Sequence, residues 1–246
     1  AFLSTGDELL SLGKPLGQGQ IYDSNRYTLY GLLQDNAYDA VDLGVIRDNK
    51  TELKESLINA SKAFDVIITT GGASVGEADY VKEILDEIGN INFWKIAMKP
   101  GKPLAFGQID NAIFFGLPGN PVSVIATFHQ IVAPALGRLS GEKPTNSIRI
   151  KAKWTSVLKK SPGRQAFQRG TLSQTENNEF LVESAGKQGS AQLCNFFMTV
   201  EHSGSKKAFS TNIRVPSHTR CQIRQPSSSQ QNCRNQFTVL RREKYT

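Results

Sequence analysis

The sequence is poor in the side chains that most often build metal centres and nucleophilic sites. Its 246 residues include only three cysteines and three histidines. The cysteines are odd in number, all lie in the last quarter of the chain and lack metal-type spacing, which argues against a zinc site or a disulfide framework and fits a reduced, cytoplasmic setting. The histidines are too scattered for a triad, and no Gly-x-Ser-x-Gly motif occurs. These residues are Cys194, Cys221, Cys233, His129, His202 and His218.

Long apolar runs and a uniform charge are also missing. No apolar run reaches the roughly 20 residues of a membrane span, so we expect no membrane segment. The net charge of +7 is unevenly divided, because residues 1–150 carry 13 basic and 17 acidic side chains and residues 151–246 carry 16 and 5. The basic residues of the second part are scattered among Ser, Gln and Asn without interleaved aromatics, so nucleic-acid binding is not expected.

The pattern of apolar residues predicts two units. Alternating strands and amphipathic helices over residues 1–142 predict an α/β domain with a mostly parallel sheet between two helical layers. Short strands after residue 143 predict a small β-rich domain, and from about residue 198 the chain is too polar to order itself independently. The predicted strands of the first unit are Ala1–Ser4, Ala40–Ile46, Asp65–Thr69, Asn92–Met98, Leu104–Gln108 and Ala112–Leu117, and its helices are Asn25–Gln34, Thr51–Lys62 (with Thr51 as cap), Ala78–Ile88 and Pro121–Leu139. Those of the second unit are Ile148–Val157, Ala166–Ser173 and Phe180–Ser184.

A strand-to-helix turn, Gly116–Ser123, has the composition of an anion site. Asn120 suits the helix N-cap and Pro121 the first helical position. Gly119 is expected to supply a positive φ or a close approach. Free N–H groups at such a helix start favour phosphate or a tetrahedral metal oxyanion, although many turns of this kind bind nothing. Pro118, Gly119, Asn120, Pro121 and Ser123 are therefore candidate substrate-binding residues.

A glycine-rich loop follows the strand predicted at Asp65–Thr69. Its three glycines in six positions, Gly71, Gly72 and Gly76, leave room for a ligand against the backbone. Gly71, Gly72 and Ser74 are candidate substrate-binding residues. Asp79 then falls in the first helical turn, where it can bind a metal or simply complement the helix dipole.

Acidic residues also follow the first two strands. Thr5, Gly6 and Glu8 end the first strand, with Thr5 and Gly6 as candidate substrate-binding residues, and Asp48 ends the second. Because the carboxyl ends of parallel strands share one edge of a sheet, Glu8, Asp48 and Asp79 are expected to converge there and to hold Mg²⁺.

Three lysines surround a proline-glycine segment. Lys95 and Lys99 are four residues apart, so an extended strand would place them on one face, with Lys102 close behind. Their ammonium groups would neutralise an oxyanion, whereas the alternative is a solvated strand edge. The turn Gln18–Asn25, capped by Asp23 or Ser24, offers further polar contacts.

Six motifs in order resemble the molybdopterin molybdenumtransferase family, which includes bacterial MoeA and the gephyrin E domain. They are Ser-Thr-Gly-Asp-Glu at 4–8, Gln-Ile-Tyr-Asp-Ser-Asn at 20–25, Ile-Arg-Asp at 46–48, Gly-Gly-Ala-Ser-Val-Gly-Glu-Ala-Asp-Tyr at 71–80, Lys-Pro-Gly-Lys-Pro at 99–103 and Gly-Leu-Pro-Gly-Asn-Pro-Val-Ser at 116–123. The resemblance extends to about residue 197, and residues 198–235 depart from it.

The resemblance implies a molybdopterin-binding fold and the last step of molybdenum cofactor synthesis. In that step molybdate is inserted into adenylylated molybdopterin and AMP is released with the help of Mg²⁺. It implies acidic metal and nucleotide residues at Glu8, Asp48 and Asp79, and a molybdate and substrate pocket that includes Lys95, Lys99, Pro118 and Pro121. It also implies upstream domains, a homodimer of the full-length protein and contacts with other enzymes of the same synthesis, so the present chain alone is expected to be inactive. Two alternatives are a molybdopterin adenylyltransferase and a non-catalytic binding or scaffold module.

Overall fold

The computed structural model describes residues 1–71, 78–143, 148–155, 164–184, 199–201 and 210–215. The strands of the first part are β1 Phe2–Thr5, β2 Leu9–Leu10, β3 Ile21–Tyr22, β4 Asp42–Ile46, β5 Val66–Thr70, β6 Gly89–Lys95, β7 Met98–Lys99, β8 Pro103–Ile109 and β9 Ala112–Leu117. Its helices are α1 Ser24–Asp35, α2 Lys50–Ala63, α3 Ala78–Ile88, α4 Pro121–Thr127 and α5 Ala133–Leu139, with a π-helical turn at Phe128–Val132 between the last two. The later strands are β10 Ile148–Trp154, β11 Gln165–Gln174, β12 Phe180–Ser184, β13 Thr199–Glu201 and β14 Ser210–Val215.

The first sheet has six strands in the order β4-β1-β5-β9-β8-β6. β4, β1, β5 and β9 pair in parallel, whereas β8 is antiparallel to both β9 and β6. Five of the six strands therefore point the same way, which confirms the prediction of a mostly parallel sheet. The start of β8 lies at the carboxyl edge of the other five.

Two apolar clusters cover the two faces of this sheet, because neighbouring residues of a strand point to opposite faces. Leu3 and Ile67 pack with residues of α2 and α3. Phe2 and Ile68 pack with residues of α1, α4 and α5. The three-layer arrangement predicted from the sequence is confirmed.

The N-terminus of α2 differs from the prediction. Asn49 caps it, since its side-chain oxygen accepts hydrogen bonds from the backbone N–H groups of Thr51 and Glu52 at 3.0 and 3.1 Å. The prediction of Thr51 as the cap is wrong by two residues, because the helix begins one residue earlier, at Lys50. The cap of α1 is Asp23, one of the two predicted candidates.

The predicted helix Pro121–Leu139 is continuous, but its middle turn is π-helical. Pro134 lacks an N–H group and its ring clashes with an α-helical carbonyl four residues back, so a wider turn before it relieves the conflict. In the described ranges, this 19-residue helix is long and apolar enough to cross a membrane, judged by length and composition alone. We expected no apolar segment of that length from the sequence. Its apolar residues serve the core instead, with 56% of the most apolar window buried.

The second sheet contains β12, β10, β14, β13, β11 and β7 in that order, and β11 pairs with β12 as well. The five strands β10–β14 thus close into a ring, while β7 attaches to β11 through Met98 and Lys99. β13 and β14 lie in the polar stretch that we expected not to order itself independently. β14 pairs with β10, β13 pairs with β11, and β13 and β14 also pair with each other. Strands outside the polar stretch therefore supply part of their backbone hydrogen bonds.

Candidate substrate site at the carboxyl edge of the first sheet

The predicted site residues gather where the parallel strands of the first sheet end. Thr5 ends β1 and Gly6 follows it, Gly71 follows β5, and Pro118 and Gly119 follow β9. β5 lies between β1 and β9, with Ser4 paired to Thr70 and Thr70 paired to Leu117. Three turns predicted separately from the sequence are therefore neighbours.

Glycines allow these turns to touch. Gly71 has a φ of +89°, and a Cβ there would collide with the carbonyl oxygen of Thr5. Gly6 has a φ of +143°, and a Cβ there would lie 2.6 Å from a carboxylate oxygen of Glu8. Gly71 therefore makes room for backbone atoms of a neighbouring turn, whereas the sequence suggested room for a ligand. At Gly6 the close atoms belong to the flexible end of the Glu8 side chain, so the positive φ is the stronger reason for glycine.

Gly119 differs from the prediction. It is not among the residues with positive φ, and a Cβ there would meet only Gly71 Cα, at an ordinary contact distance of 3.7 Å. The prediction that the protein itself requires glycine at this position is wrong. The residue is exposed at the edge of the site, so any demand for glycine would come from a ligand.

Buried polar atoms without partners line the same edge. In the described ranges, the hydroxyls of Ser4, Thr5 and Thr69 and the side-chain oxygen of Asn25 have no hydrogen-bond partner, although all four residues are buried. Buried polar groups are nearly always satisfied, so each of these unsatisfied groups is a candidate ligand contact. By strand alternation, Thr5 and Thr69 lie on the face covered by α2 and α3, and Ser4 lies on the face covered by α1 and α4. Of the four, the sequence predicted Thr5 as a site residue and included Asn25 only within the turn Gln18–Asn25, as a source of further polar contacts. The available signal was the run of Ser and Thr at the ends of otherwise apolar strands.

The N-terminus of α4 is partly satisfied by its own cap. Asn120 Oδ1 accepts hydrogen bonds from the N–H groups of Val122 and Ser123 at 3.1 and 3.4 Å, and Pro121 has no N–H to offer. The predicted roles of Asn120 as cap and Pro121 as first helical residue are confirmed. Because the cap uses those donors, the N–H groups of Val122 and Ser123 are not free to bind an anion as the sequence predicted. The unpartnered hydroxyls nearby are the better candidates for binding an oxyanion.

The acidic residues lie at one end of this edge. Glu8 and Asp48 follow the adjacent strands β1 and β4, and Asp7 Oδ1 accepts a hydrogen bond from the Asp48 backbone N–H at 3.2 Å. Neither Glu8 nor Asp48 forms an ion pair with a residue that the structure describes. Among the residues that the structure describes, no group of three or more His, Cys, Asp and Glu side chains is arranged to hold a metal ion. Gly72, Ser74 and the side chain of Asp79 lie outside the described residues, so the three-carboxylate prediction stays a prediction.

The lysines lie at the other end of the edge. Lys95 ends β6 and Lys102 precedes β8, so both are at the carboxyl edge, and both are exposed. Lys99 is exposed in β7. The prediction that Lys95 and Lys99 share one face of a single strand is wrong. Ile96 and Ala97 separate the two strands, because Ile96 N–H bonds Lys102 O while Ala97 O accepts from Gln165 in the second sheet.

The lysine segment also contacts the helix that follows β9. A Cβ on Gly101 would lie 2.6 Å from the Thr127 methyl group of α4. No described carboxylate forms an ion pair with Lys95, Lys99 or Lys102. Five strand spacings separate β4 from β6, or about 24 Å at ordinary sheet geometry. The site is therefore elongated, with carboxylates at one end, lysines at the other and the glycine turns between.

A buried ion-pair network fixes the start of α1 beside this edge. Arg26 bonds Asp23 at 3.1 Å, Asp42 at 2.9 Å and the Ser11 hydroxyl at 2.7 Å. Burial alone would lower the pKa of the Arg26 guanidinium, but the hydrogen bonds and charges of Asp42 and Asp23 raise it. The network joins the long turn before α1 to β4 and holds the first turn of α1, which contains Asn25, in place.

Comparison with known proteins agrees with this arrangement. The profile of a family described as a probable molybdopterin binding domain matches residues 1–138, and that of the MoeA C-terminal region (domain IV) matches residues 151–198. A molybdopterin molybdenumtransferase of Haemophilus influenzae is 50% identical over 189 residues, which cover 76% of this chain and 47% of that protein. A molybdopterin molybdenumtransferase of Nostoc is 35% identical over 204 residues, covering 81% and 47%.

A solved structure shares the fold. The molybdopterin biosynthesis MoeA protein of Pyrococcus horikosii aligns with a TM-score of 0.68 and 27% identity, covering 87% of this chain and 53% of that one. The present chain thus spans about half the length of the curated relatives and the solved structure that it matches.

Proposed function

This chain belongs to the molybdopterin molybdenumtransferase family, and from that premise we propose that the carboxyl edge of its first sheet binds adenylylated molybdopterin and molybdate. The reaction we propose is the insertion of molybdate into the dithiolene, with release of AMP. The observation that carries this proposal is that Ser4, Thr5, Thr69 and Asn25 each have a buried polar atom without a hydrogen-bond partner in the described ranges. These residues lie beside three strand-end turns that touch one another.

The elongated shape of the site suits a two-part substrate. We place the phosphates nearer the carboxylate end, where the Thr5 hydroxyl can donate a hydrogen bond to a phosphate oxygen. The exposed ammonium groups of Lys95, Lys99 and Lys102 at the other end would attract molybdate, because they lack described acidic partners. Holding both reactants in one orientation and stabilising a departing phosphate with fixed donors can supply much of the rate without a protein nucleophile.

We propose that Glu8, Asp48 and Asp79 hold Mg²⁺. The donor set fits a hard cation, because Glu8 and Asp48 offer carboxylate oxygens on adjacent strand ends and are free of ion pairs with described residues. When bound, Mg²⁺ supplies positive charge to phosphate oxygens. The Asp7 side chain accepts a 3.2 Å hydrogen bond from the Asp48 backbone N–H, which positions the backbone from which the Asp48 carboxylate extends.

Two alternative functions remain for the same edge. A molybdopterin adenylyltransferase would use a similar α/β domain, but the match of residues 151–198 to the MoeA C-terminal region favours the molybdenumtransferase. A non-catalytic binding or scaffold module would bind the same ligand without turnover.

The relatives are about twice as long as this chain, so its action within a longer protein is part of the proposal. We propose that the full-length protein is a cytoplasmic homodimer that contacts other enzymes of molybdenum cofactor synthesis. Activity of the present chain alone is expected to be low or absent if the remaining part of the protein completes the site.

One incubation tests these functions together. The chain, alone and as part of a full-length relative, is mixed with adenylylated molybdopterin, Mg²⁺ and molybdate, and AMP is measured by chromatography. Molybdate-dependent AMP release by the full-length protein supports insertion. Binding without turnover in both forms indicates a module, and adenylylation of molybdopterin from ATP indicates the adenylyltransferase.

A further inference from the structure

Asn25 lies at the first turn of α1, facing the turn that follows β9. Its side-chain Nδ2 donates a hydrogen bond of 2.7 Å to the carbonyl oxygen of Gly119. This bond joins residues that are 94 positions apart in the sequence. It ties the start of one helix to the turn that leads into another.

The Gly119 bond also fixes which way the Asn25 amide points. A flipped amide would place Oδ1 against the Gly119 carbonyl oxygen, and two acceptors cannot bond each other. The amide orientation is therefore fixed, with Nδ2 towards the Gly119 carbonyl oxygen and Oδ1 on the other side of the amide. In the described ranges Oδ1 has no hydrogen-bond partner, although Asn25 is only 8% exposed. Ser4, which lies on the same face of the sheet as Phe2 and α1, carries another unpartnered buried atom, its hydroxyl.

We propose that Asn25 contacts the substrate through Oδ1, which accepts a hydrogen bond from an N–H or O–H group of adenylylated molybdopterin. This inference rests on the proposed function and adds a binding residue to its site. A carbonyl oxygen can only accept, so the ligand atom it meets must be a donor. The substrate offers such donors in its ribose hydroxyls, its adenine amino group and its pterin N–H groups. Molybdate is fully deprotonated at neutral pH and offers none.

The difference between these two ligands supplies the test. Asn25→Leu removes the acceptor while keeping a side chain of similar size. Asn36 provides the matched control, because its Nδ2 donates a 2.6 Å hydrogen bond to the Leu32 carbonyl oxygen at the far end of the same helix. The dissociation constants of adenylylated molybdopterin, AMP and molybdate are measured by titration calorimetry for the wild type, Asn25→Leu and Asn36→Leu, with circular dichroism to check folding.

We expect Asn25→Leu to weaken adenylylated molybdopterin binding by about five- to tenfold, the usual effect of losing one hydrogen bond. Molybdate binding should stay within about twofold, and Asn36→Leu should change neither. An equal drop for AMP assigns the donor to the nucleotide, and an unchanged AMP affinity assigns it to the pterin. If Asn25→Leu does not fold, Asn25→Ser replaces it, because its shorter side chain leaves the Oδ1 position empty without adding apolar bulk.

Two results would overturn the inference. An unchanged affinity for adenylylated molybdopterin would show that Oδ1 does not contact it. An equal loss of adenylylated molybdopterin affinity in Asn25→Asp, which keeps an acceptor oxygen but loses the hydrogen bond to Gly119, would show that Asn25 only shapes the Gly119 turn. The proposed function fails separately, if the wild-type chain and a full-length relative bind none of the three ligands.

Discussion

The contact between Gly71 and Thr5 is a sharp point at which the geometry of the site can be tested. Gly71→Ala adds one methyl group where φ is +89° and where the new Cβ would collide with the Thr5 carbonyl oxygen. A non-glycine residue in this region of φ costs about 1–3 kcal/mol, and forcing a backbone shift costs about 1–3 kcal/mol more. We therefore expect Gly71→Ala to lower the free energy of unfolding by about 2–6 kcal/mol.

Gly119→Ala is the matched control, since it adds the same methyl group to the neighbouring turn. Its Cβ would touch only Gly71 Cα at 3.7 Å, and φ is not positive. A surface change of this kind alters the free energy of unfolding by about 0.5 kcal/mol or less. The same methyl group would be added at the exposed edge of the proposed substrate site, so Gly119→Ala should weaken adenylylated molybdopterin binding while leaving stability intact.

Urea denaturation followed by circular dichroism, together with ligand titration, measures both effects. Equal stability of Gly71→Ala and Gly119→Ala would refute the contact between the β1 and β5 turns. Unchanged ligand affinity in Gly119→Ala would place the ligand away from the β9 turn.

Three other side chains give independent predictions. Arg26→Ala should destabilise the chain by about 3–5 kcal/mol in urea denaturation, because it leaves the buried Asp23 carboxylate without its partner; a loss below about 1 kcal/mol would contradict this. Asn49→Ala should cost about 1 kcal/mol in the same assay as a lost helix cap, whereas Thr51→Ala should cost less than about 0.5 kcal/mol, and the reverse order would restore the sequence-based cap. Hydrogen bonds from two lysines lower the pKa of the exposed Glu87 carboxyl from 4.5 to about 2, so its small contribution to stability is present above about pH 4.5 and is lost as the pH falls towards 2. Glu87→Gln should flatten that part of the pH–stability curve at low salt, and an unchanged slope would show that the ion pairs contribute nothing.

Local sequence signals predicted most of the first unit. The helix α3 and the strand β9 have their predicted bounds, because apolar residues fill them and turn residues flank them: Gly76 and Gly89 for α3, and Asn111 and Pro118 for β9. The Asn120–Pro121 start of α4 was also predictable from capping chemistry.

The errors occur where distant parts of the chain meet. The predicted strand through Asn92–Met98 splits because Ala97 bonds a strand of the second sheet, a pairing that no local pattern reveals. The need for glycine at Gly71 but not at Gly119 depends on the position of Thr5, 66 residues earlier than Gly71 in the chain. The role of Asn25 likewise depends on a bond to Gly119. Sequence patterns thus located the edge of the sheet, whereas the partners of individual side chains required the fold.

The central claim is that substrate binds at the carboxyl edge of the first sheet, and amide hydrogen exchange with and without adenylylated molybdopterin tests it most directly. The account predicts slower exchange at the ends of β1, β5 and β9, near Thr5, Gly71 and Gly119. The opposite end of the sheet, around the cavity of about 610 Å³ lined by Ser61 and Asp110, should be unchanged. Protection at that cavity, with no change at the three strand ends, would contradict the account.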